Sequence, residues 1–145
     1  MVTLKNNLYF INACSVFSSE AGENLSSDSR VEAIVTLCPD CYIYKAHFPE
    51  QPITPGVCII GMATEVLGDA IKTPITLAEV LNAKFLSVIN PLETRNLTLK
   101  FTRFEIDGIE NRLKATCQVS DSDKVFTKLS LLFSLPAEKC PVAKT

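Results

Sequence analysis

The sequence predicts an α+β domain in which a curved antiparallel sheet of five or six strands wraps around one long central helix. Two observations lead to this prediction. Several segments alternate apolar and polar residues with the period of two that is typical of half-buried strands, and short polar turns separate them. One segment after the second strand is apolar on almost every side, and such a helix must be buried by the rest of the fold.

Length and composition indicate a single domain. The 145 residues are 47% hydrophobic and 21% charged, which is the composition of an ordinary globular protein with a sizeable core. We assign residues 1–145 to one domain, with the core over about residues 8–136 and a frayed tail over 137–145. The net charge of −2 provides no basic surface of the kind that nucleic-acid-binding proteins use.

Strands are predicted on both sides of the helix. They span residues 8–18 and 31–38 before it, and 80–89, 97–102, 113–119 and 125–135 after it. A polar loop over residues 19–29 joins the first two strands. Turns at Asn90-Pro91, Asp107-Gly108 and residues 120–123 join the last four.

The central helix is predicted from Pro55 to Ile71. Thr54 is a suitable capping residue, and Pro55 suits the first helical position because the N–H that proline lacks would have no partner there. One stripe of the helix is not apolar, and its members are spaced by three and four residues: Gly61, Glu65, Gly68, Asp69 and Lys72.

The segment from His47 to Val57 is the most informative part of the chain. It contains the only histidine of the sequence and three prolines at a spacing of three residues, followed directly by Gly56. Prolines stiffen the loop and so fix His47 relative to the helix. Gly56 allows close approach of a ligand to the backbone, and the free N–H groups near Gly56 and Val57 can stabilise developing negative charge.

The stretch from His47 to Gly56 resembles the HFPxxPxxPG signature of the 3-hydroxyacyl-acyl-carrier-protein dehydratases. Two later stretches, Lys84-Phe85 and Pro91-Leu92-Glu93, also follow that family, and the similarity covers roughly residues 8–136. The resemblance implies a hotdog fold. It also implies a dimer whose two central helices lie side by side, and often a trimer of dimers.

The resemblance further implies dehydration of 3-hydroxyacyl thioesters to trans-2-enoyl thioesters, in fatty-acid or related lipid and polyketide synthesis. In that reaction His47 would remove a proton beside the thioester carbonyl, as suits a group that titrates near neutrality. Amides at the helix start would hold the carbonyl oxygen, and a helix carboxylate from the other protomer would handle the leaving hydroxyl. The residues expected to line the substrate site are Phe48, Pro55, Gly56, Val57 and Gly61.

One position departs from the family pattern. The family's catalytic Glu or Asp falls five residues after the signature glycine, and this sequence has Gly61 there. The nearest carboxylate is Glu65, which shares the helix face but lies about 6 Å further along the axis. Glu65 is therefore a candidate catalytic residue, with pairing to a lysine as the structural alternative. Gly61 and Gly68 either allow two helices to pack closely across a dimer, or Gly61 marks a lost catalytic side chain.

Three functions remain open from the sequence. The first is a dehydratase in which His47 acts with Glu65 or with water. The second is an acyl thioesterase in which Glu65 is the base or nucleophile. The third is a non-catalytic or half-catalytic subunit of a hetero-oligomeric dehydratase, which supplies His47 to a partner that supplies the carboxylate.

The expected partners follow from the same features. The substrate would be a thioester of acyl carrier protein or coenzyme A. The polar-and-glycine stripe and the edge strands favour a homodimer or hexamer, with a heterodimer as the alternative. We expect no nucleic acid and no membrane, because no stretch of about 18 apolar residues could span a bilayer. The first ten residues have too short an apolar run for a secretory signal, which favours the cytoplasm.

Cys38 and Cys41 have the CxxC spacing of metal and redox sites. A zinc site needs about four ligands, and the sequence has one histidine and no second CxxC. We therefore expect the six cysteines to be buried or incidental thiols, and we expect the protein to use no metal and no other cofactor.

Overall fold

The structure, a computed structural model, describes residues 4–17, 25–46 and 50–136. It confirms the predicted α+β architecture with six strands and a central helix. The elements in chain order are β1 (Tyr9–Phe17), β2 (Arg30–Leu37), α1 (Tyr42–Ala46), α2 (Gly56–Ala70), β3 (Thr76–Phe85), β4 (Asn96–Asp107), β5 (Arg112–Asp121) and β6 (Lys124–Ser134). The short helix α1 was not predicted, because five residues are too few to show a helical period.

The six strands form one curved sheet in the order β1-β2-β4-β5-β6-β3, and every neighbouring pair is antiparallel. Both helices lie between β2 and β3 in the chain, so the chain crosses from one half of the sheet to its opposite edge. Strands β1 and β3 are the two edges. Short polar turns join β4, β5 and β6, as the sequence predicts.

Alternate residues of the sheet are buried against α2. On β4 the buried positions are Leu97, Leu99, Phe101 and, after a bulge, Phe104, and β5 and most of β6 show the same alternation. On α2 the buried side chains are Ile59, Met62, Ala63, Val66 and Leu67. Eight further residues of α2 are partly buried and only Val57 and Asp69 are exposed, so the prediction that this helix is buried on most sides is confirmed. The sheet covers one face. The opposite face is partly exposed.

The helix begins differently from the prediction. Pro55 is the N-cap residue of α2 and not its first helical residue, and no side chain caps the helix. Thr54 is buried, and its hydroxyl forms a hydrogen bond of 2.8 Å with the hydroxyl of Tyr44 instead. The predicted capping role of Thr54 is therefore wrong, because a buried hydroxyl group takes the partner that the core provides.

Strand β3 runs over Thr76–Phe85, whereas the sequence predicted residues 80–89. The ladder ends because the N–H groups of Leu86 and Ser87 both donate to the same carbonyl of Phe126. Ile89 is fully buried, and its carbonyl accepts the N–H of Thr54. Ile89 is therefore tied to the residue before the N-cap of α2, whereas Leu86 and Val88 are exposed, and the apolar run does not extend the strand.

The free edge of β3 is the most exposed strand surface that follows the helix. All residues of β3 except Leu77 and Ala83 are exposed, and the exposed set includes Val80 and Leu81. The first residues of β3, Thr76 and Leu77, border the same cavity as the outer face of α2, and we predict a partner for this edge and that face. No helix in the described part of the chain is long and apolar enough to cross a membrane.

Candidate functional site

The first turn of α2 presents unpaired backbone donors. The N–H groups of Cys58 and Ile59 both donate to the carbonyl of Pro55, at 3.0 and 3.1 Å. Within the described residues, the N–H groups of Gly56 and Val57 have no hydrogen-bond partner. These two amides lie at the positive end of a helix of 15 residues, so they can bind a negatively charged oxygen.

Gly56 is in close contact with an aromatic ring. A β-carbon at this position would lie 2.9 Å from Cζ of Phe85, so only glycine fits without moving the ring. The group that approaches the backbone of Gly56 in this structure is Phe85, and the predicted approach of a ligand there stays a prediction. Because Phe85 is half exposed, its ring partly covers the helix start and can still turn outward.

Two contacts fix the ends of the segment that precedes α2. The buried hydrogen bond between Tyr44 and Thr54 joins residues that are ten positions apart, and the N–H of Thr54 donates to the carbonyl of Ile89 at 2.9 Å. Burial raises the pKa of Tyr44 to about 12. The predicted site residues His47 and Phe48 lie between these anchors but outside the described residues. Of the predicted lining residues, Pro55, Gly56, Val57 and Gly61 are described.

Gly61 lies on the outer face of α2, where the dehydratase signature has a carboxylate. A β-carbon at Gly61 would lie 3.0 Å from Cδ1 of Leu4. The side chain of Leu4 therefore occupies part of the space that a longer side chain at position 61 would need. Both residues border the same cavity, and the role of Gly61 in lining a substrate site stays a prediction.

The carboxylate of Glu65 accepts hydrogen bonds from residues near the beginning of the chain. Its carboxylate accepts the N–H groups of Leu4 and Lys5 and the hydroxyl of Tyr9, each at 2.9 Å. Burial and the neighbouring Glu65 carboxylate raise the pKa of Tyr9 well above its ordinary value. The predicted structural alternative, a lysine side chain paired with Glu65, is wrong within the described residues, because Lys5 Nζ lies 3.0 Å from the carboxylate of Asp69 instead.

The residues around Leu4 form a compact turn. The N–H groups of Asn7 and Leu8 both donate to the carbonyl of Leu4, and the N–H of Asn6 donates to the carbonyl of Tyr9. We call residues 4–8 the Leu4 turn. Sequence reasoning missed it because its contacts to α2 join residues about sixty positions apart. No local pattern signals such a contact.

A cavity of about 1210 Å³ runs along the outer face of α2. Leu4 and residues 72–77 form its sides, and the helix residues from Val57 to Asp69 form its floor. Most of its surface is apolar. Gly68 lies against this return segment, because a β-carbon there would be 3.2 Å from the carbonyl oxygen of Thr73. Gly61 and Gly68 thus both face parts of their own chain.

The five cysteines within the described residues are free. Burial raises the pKa of the Cys38 and Cys58 thiols, which disfavours the reactive thiolate form. Cys41 and Cys117 are buried, as expected for incidental thiols.

Comparison with known proteins identifies the family. Residues 23–126 match the ApeI-like family, which is described as ApeI dehydratase. The chain belongs to the ApeI-like dehydratase family. The dehydratase resemblance predicted from the His47–Gly56 signature is therefore confirmed. A 3-hydroxyacyl-[acyl-carrier-protein] dehydratase FabZ of Clostridium botulinum is 33% identical over 99 residues, which are 63% of this chain and 66% of that protein.

Solved structures confirm the hotdog fold of this ApeI-like chain. The dehydratase heterocomplex ApeI:P from Xenorhabdus doucetiae is 16% identical, with a TM-score of 0.59 over 86% of this chain and 96% of that one. A putative thioesterase, yhdA from Lactococcus lactis, is 13% identical, with a TM-score of 0.64 over 89% and 94%. An uncharacterized protein from Erwinia carotovora also has a TM-score of 0.64, at 18% identity over 88% and 97%. At these identities the likeness concerns the fold alone.

Proposed function

We propose that this ApeI-like chain takes part in the dehydration of 3-hydroxyacyl-acyl-carrier-protein to the trans-2-enoyl thioester as one half of a two-subunit site. It would supply His47 and the amides of Gly56 and Val57. A second, related subunit would supply the carboxylate from its own central helix. We place this activity in the cytoplasm, with a thioester of acyl carrier protein or coenzyme A as substrate.

The outer face of α2 is the observation that carries this proposal. Position 61 has no side chain, and Leu4 lies against it. The next carboxylate, Glu65, accepts three hydrogen bonds from the Leu4 turn and Tyr9. A carboxylate that holds these three donors would have to break hydrogen bonds with them before it could act on a leaving hydroxyl. The helix therefore provides no free acid, whereas its first turn does provide two unpaired amides.

The reaction divides between the two subunits as follows. The His47 imidazole removes a proton from C2 of the acyl chain, and the charge that develops on the thioester oxygen is held by the amides of Gly56 and Val57. The C3–O bond then breaks as the partner's carboxylic acid protonates the hydroxyl, so that water leaves and the C2–C3 double bond forms. The proton on His47 returns to the carboxylate through solvent.

The expected effects on the dehydration rate are large enough to distinguish a homodimer without a general acid from a complete two-subunit site. One oxyanion donor is worth about 2.7 to 4 kcal/mol in comparable sites. A general acid contributes about 10²- to 10⁴-fold in rate. A homodimer of this chain would have two histidines and no acid, so its dehydration rate should be lower by about that factor.

The exposed edge of β3 and the open cavity beside α2 support a dimer, since an unpaired edge strand invites pairing with another chain. A two-fold pairing through this side would bring two α2 helices together and place each cavity between two chains. The structurally similar ApeI:P assembly is described as a dehydratase heterocomplex, which supports a second, different subunit as the partner.

Complementation between variants of this chain tests the proposal without an identified partner. One member is the wild-type chain, which has His47 and no acid. The other carries His47→Ala, Leu4→Ala and Gly61→Glu, so that it has an acid and no base. With 3-hydroxybutanoyl-acyl-carrier-protein, each homodimer should be nearly inactive. The co-expressed mixed dimer, purified through two affinity tags, should form enoyl thioester at least about 10²-fold faster.

The matched control replaces Gly61→Glu by Gly61→Gln in the second member, and it should leave the mixed dimer inactive. Rapid dehydration by the wild-type homodimer would contradict the proposal, as would an inactive mixed dimer that is folded. Release of free thiol by the wild-type chain, abolished by Glu65→Gln, would indicate the thioesterase instead.

A further inference from the structure

We infer that the cavity beside α2 takes long acyl chains, of about 12 carbons or more, with Thr64 as a specificity-determining residue halfway along it. This inference rests on the proposed function, because it takes the cavity as the acyl site of the thioester. It adds the class of the acyl chain, which neither the His47–Gly56 signature nor the match to the family specifies.

The cavity follows almost the whole of α2. Its lining begins at Val57, whose N–H has no partner among the described residues, and continues to Gly68 and the return segment over residues 72–77. Val57 and Gly68 are eleven residues apart, which is about 16 Å along a helix axis. Each carbon advances an extended chain by slightly less than a C–C bond length of about 1.5 Å, so about 12 carbons span this distance.

The volume and the apolar surface of the cavity also suit a long chain. The volume of about 1210 Å³ exceeds the range of about 300 to 1,000 Å³ that is usual for small-ligand pockets. Apolar side chains line it from Ile60 on the helix to Ile75 and Leu77 on the return segment. A butanoyl group held at the Val57 amide would cover only about one helical turn of this surface. A longer chain would bury more of it, which is favourable.

The three polar side chains of α2 that border the cavity already have partners. The hydroxyl of Thr64 donates to the carbonyl of Ile60 at 3.0 Å. Glu65 accepts three hydrogen bonds, and Asp69 forms an ion pair at 3.0 Å. Lys72, beyond the helix, is exposed, so its ammonium group stays in water. A hydrocarbon chain that lies along the helix therefore leaves none of these side chains without a partner, which would be unfavourable.

Thr64 lies in the middle of the cavity floor. It is seven residues after Val57 and therefore about 10 Å further along the axis, where about the eighth carbon of an extended chain would lie. A larger side chain at this position would shorten the space for the acyl chain. It would leave the amides of Gly56 and Val57 as they are, because they are two helical turns away.

Binding of acyl thioesters to the purified native assembly tests the inference. Isothermal titration calorimetry with butanoyl-, octanoyl- and dodecanoyl-coenzyme A measures three chain lengths separately. For wild-type protein, Kd should fall by at least about tenfold from butanoyl to octanoyl and again from octanoyl to dodecanoyl, since each buried methylene group is worth about threefold or more in a binding constant. Thr64→Phe should abolish the second gain, so that octanoyl and dodecanoyl esters bind about equally.

Ile109→Phe is the matched control, because it adds the same ring at an exposed position in the turn before β5, and it should keep both gains. Thr64→Leu is a smaller change that should reduce the second gain in part, so the test does not depend on the folding of one variant. Equal binding of octanoyl and dodecanoyl esters by the wild type would overturn the inference while leaving the proposed function intact. So would a second gain that survives both changes at Thr64. A failure to bind any of the three esters would contradict the proposed function itself.

Discussion

The first turn of α2 and the middle of its outer face lie about 6 Å apart on one helix, yet they differ in what they keep of the dehydratase site. The first turn keeps the glycine and two amides that no described residue satisfies. The middle has no carboxylate at position 61, and the nearest carboxylate, that of Glu65, accepts three hydrogen bonds. The two amides without a partner can bind a ligand, whereas the carboxylate that already accepts three hydrogen bonds has a structural role.

The neighbours of the two regions explain how they could diverge separately. The helix start contacts Phe85 and is tied through Thr54 to Ile89 and Tyr44. Within the described residues, the contacts of Gly61 and Glu65 on the outer side are to Leu4, Lys5 and Tyr9. Because the two sets of contacts share no residue, a change in one leaves the geometry of the other intact. A subunit can therefore keep its oxyanion site after losing its acid.

The largest expected effect is a gain of function in the middle region. A homodimer with Leu4→Ala and Gly61→Glu, with His47 intact, should dehydrate 3-hydroxybutanoyl-acyl-carrier-protein about 10²- to 10⁴-fold faster than wild type. Gly61→Glu alone should recover less, because Leu4 Cδ1 lies in the way. Initial rates of enoyl formation measure both.

The control for this gain is Leu4→Ala with Gly61→Gln, which provides the shape of the side chain without the acid and should remain inactive. Equal rates for Gly61→Glu with and without Leu4→Ala would show that Leu4 does not obstruct position 61.

The contrast between the regions also separates what the sequence could predict from what it could not. The helix start was predictable because Pro55, Gly56 and Val57 are adjacent in the chain and form a recognisable motif. The absence of a carboxylate at Gly61 was visible for the same reason. The partner of Gly61 was not, because Leu4 belongs to no motif and meets it only through the fold.

The fold also has parts that the sequence predicts and parts that it does not. Alternation predicted the strands because it reports which side chains face the core. The apolar character of α2 did not show which of its faces the sheet covers, since apolar residues on the outer face look the same in sequence as those under the sheet. The end of β3 and the role of Thr54 depend on single long-range hydrogen bonds, to Phe126 and to Tyr44, and composition does not encode such bonds.

The middle region should also be the more sensitive one to loss of charge. Glu65→Gln should lower the free energy of unfolding by about 1 to 3 kcal/mol, because the amide that replaces one carboxylate oxygen cannot accept the N–H or O–H that it faces. Asp69→Asn is the matched control. Its ion pair with Lys5 is largely exposed, so the change should cost at most about 1 kcal/mol.

Urea denaturation at neutral pH measures both variants. If Glu65→Gln costs no more than Asp69→Asn, then the three hydrogen bonds do not hold the Leu4 turn. Glu65 would then have no structural role in holding the Leu4 turn on α2.

The smallest expected effect compares the two regions through their tyrosines, Tyr44 beside the helix start and Tyr9 bonded to Glu65. Burial raises the pKa of Tyr44 from its ordinary value of 10.0 to about 12, and burial with the Glu65 carboxylate raises that of Tyr9 further. A group whose pKa is raised in the folded state stabilises it fully below the unfolded pKa. That contribution is lost as the pH rises through the folded value.

The free energy of unfolding should therefore fall above about pH 10, by up to about 1.4 kcal/mol per pH unit for each tyrosine that ionises only when unfolded. Tyr44→Phe should lose one such contribution between about pH 10 and 12, and its stability should fall less steeply there than that of the wild type. Tyr9→Phe should do the same over a range that extends to higher pH, since the Glu65 carboxylate also opposes ionisation of Tyr9. Parallel stability curves for all three proteins would show that neither hydroxyl is held protonated by the fold. The two regions of α2 would then not differ in the way that the Tyr9–Glu65 and Tyr44–Thr54 hydrogen bonds affect ionisation of their tyrosines.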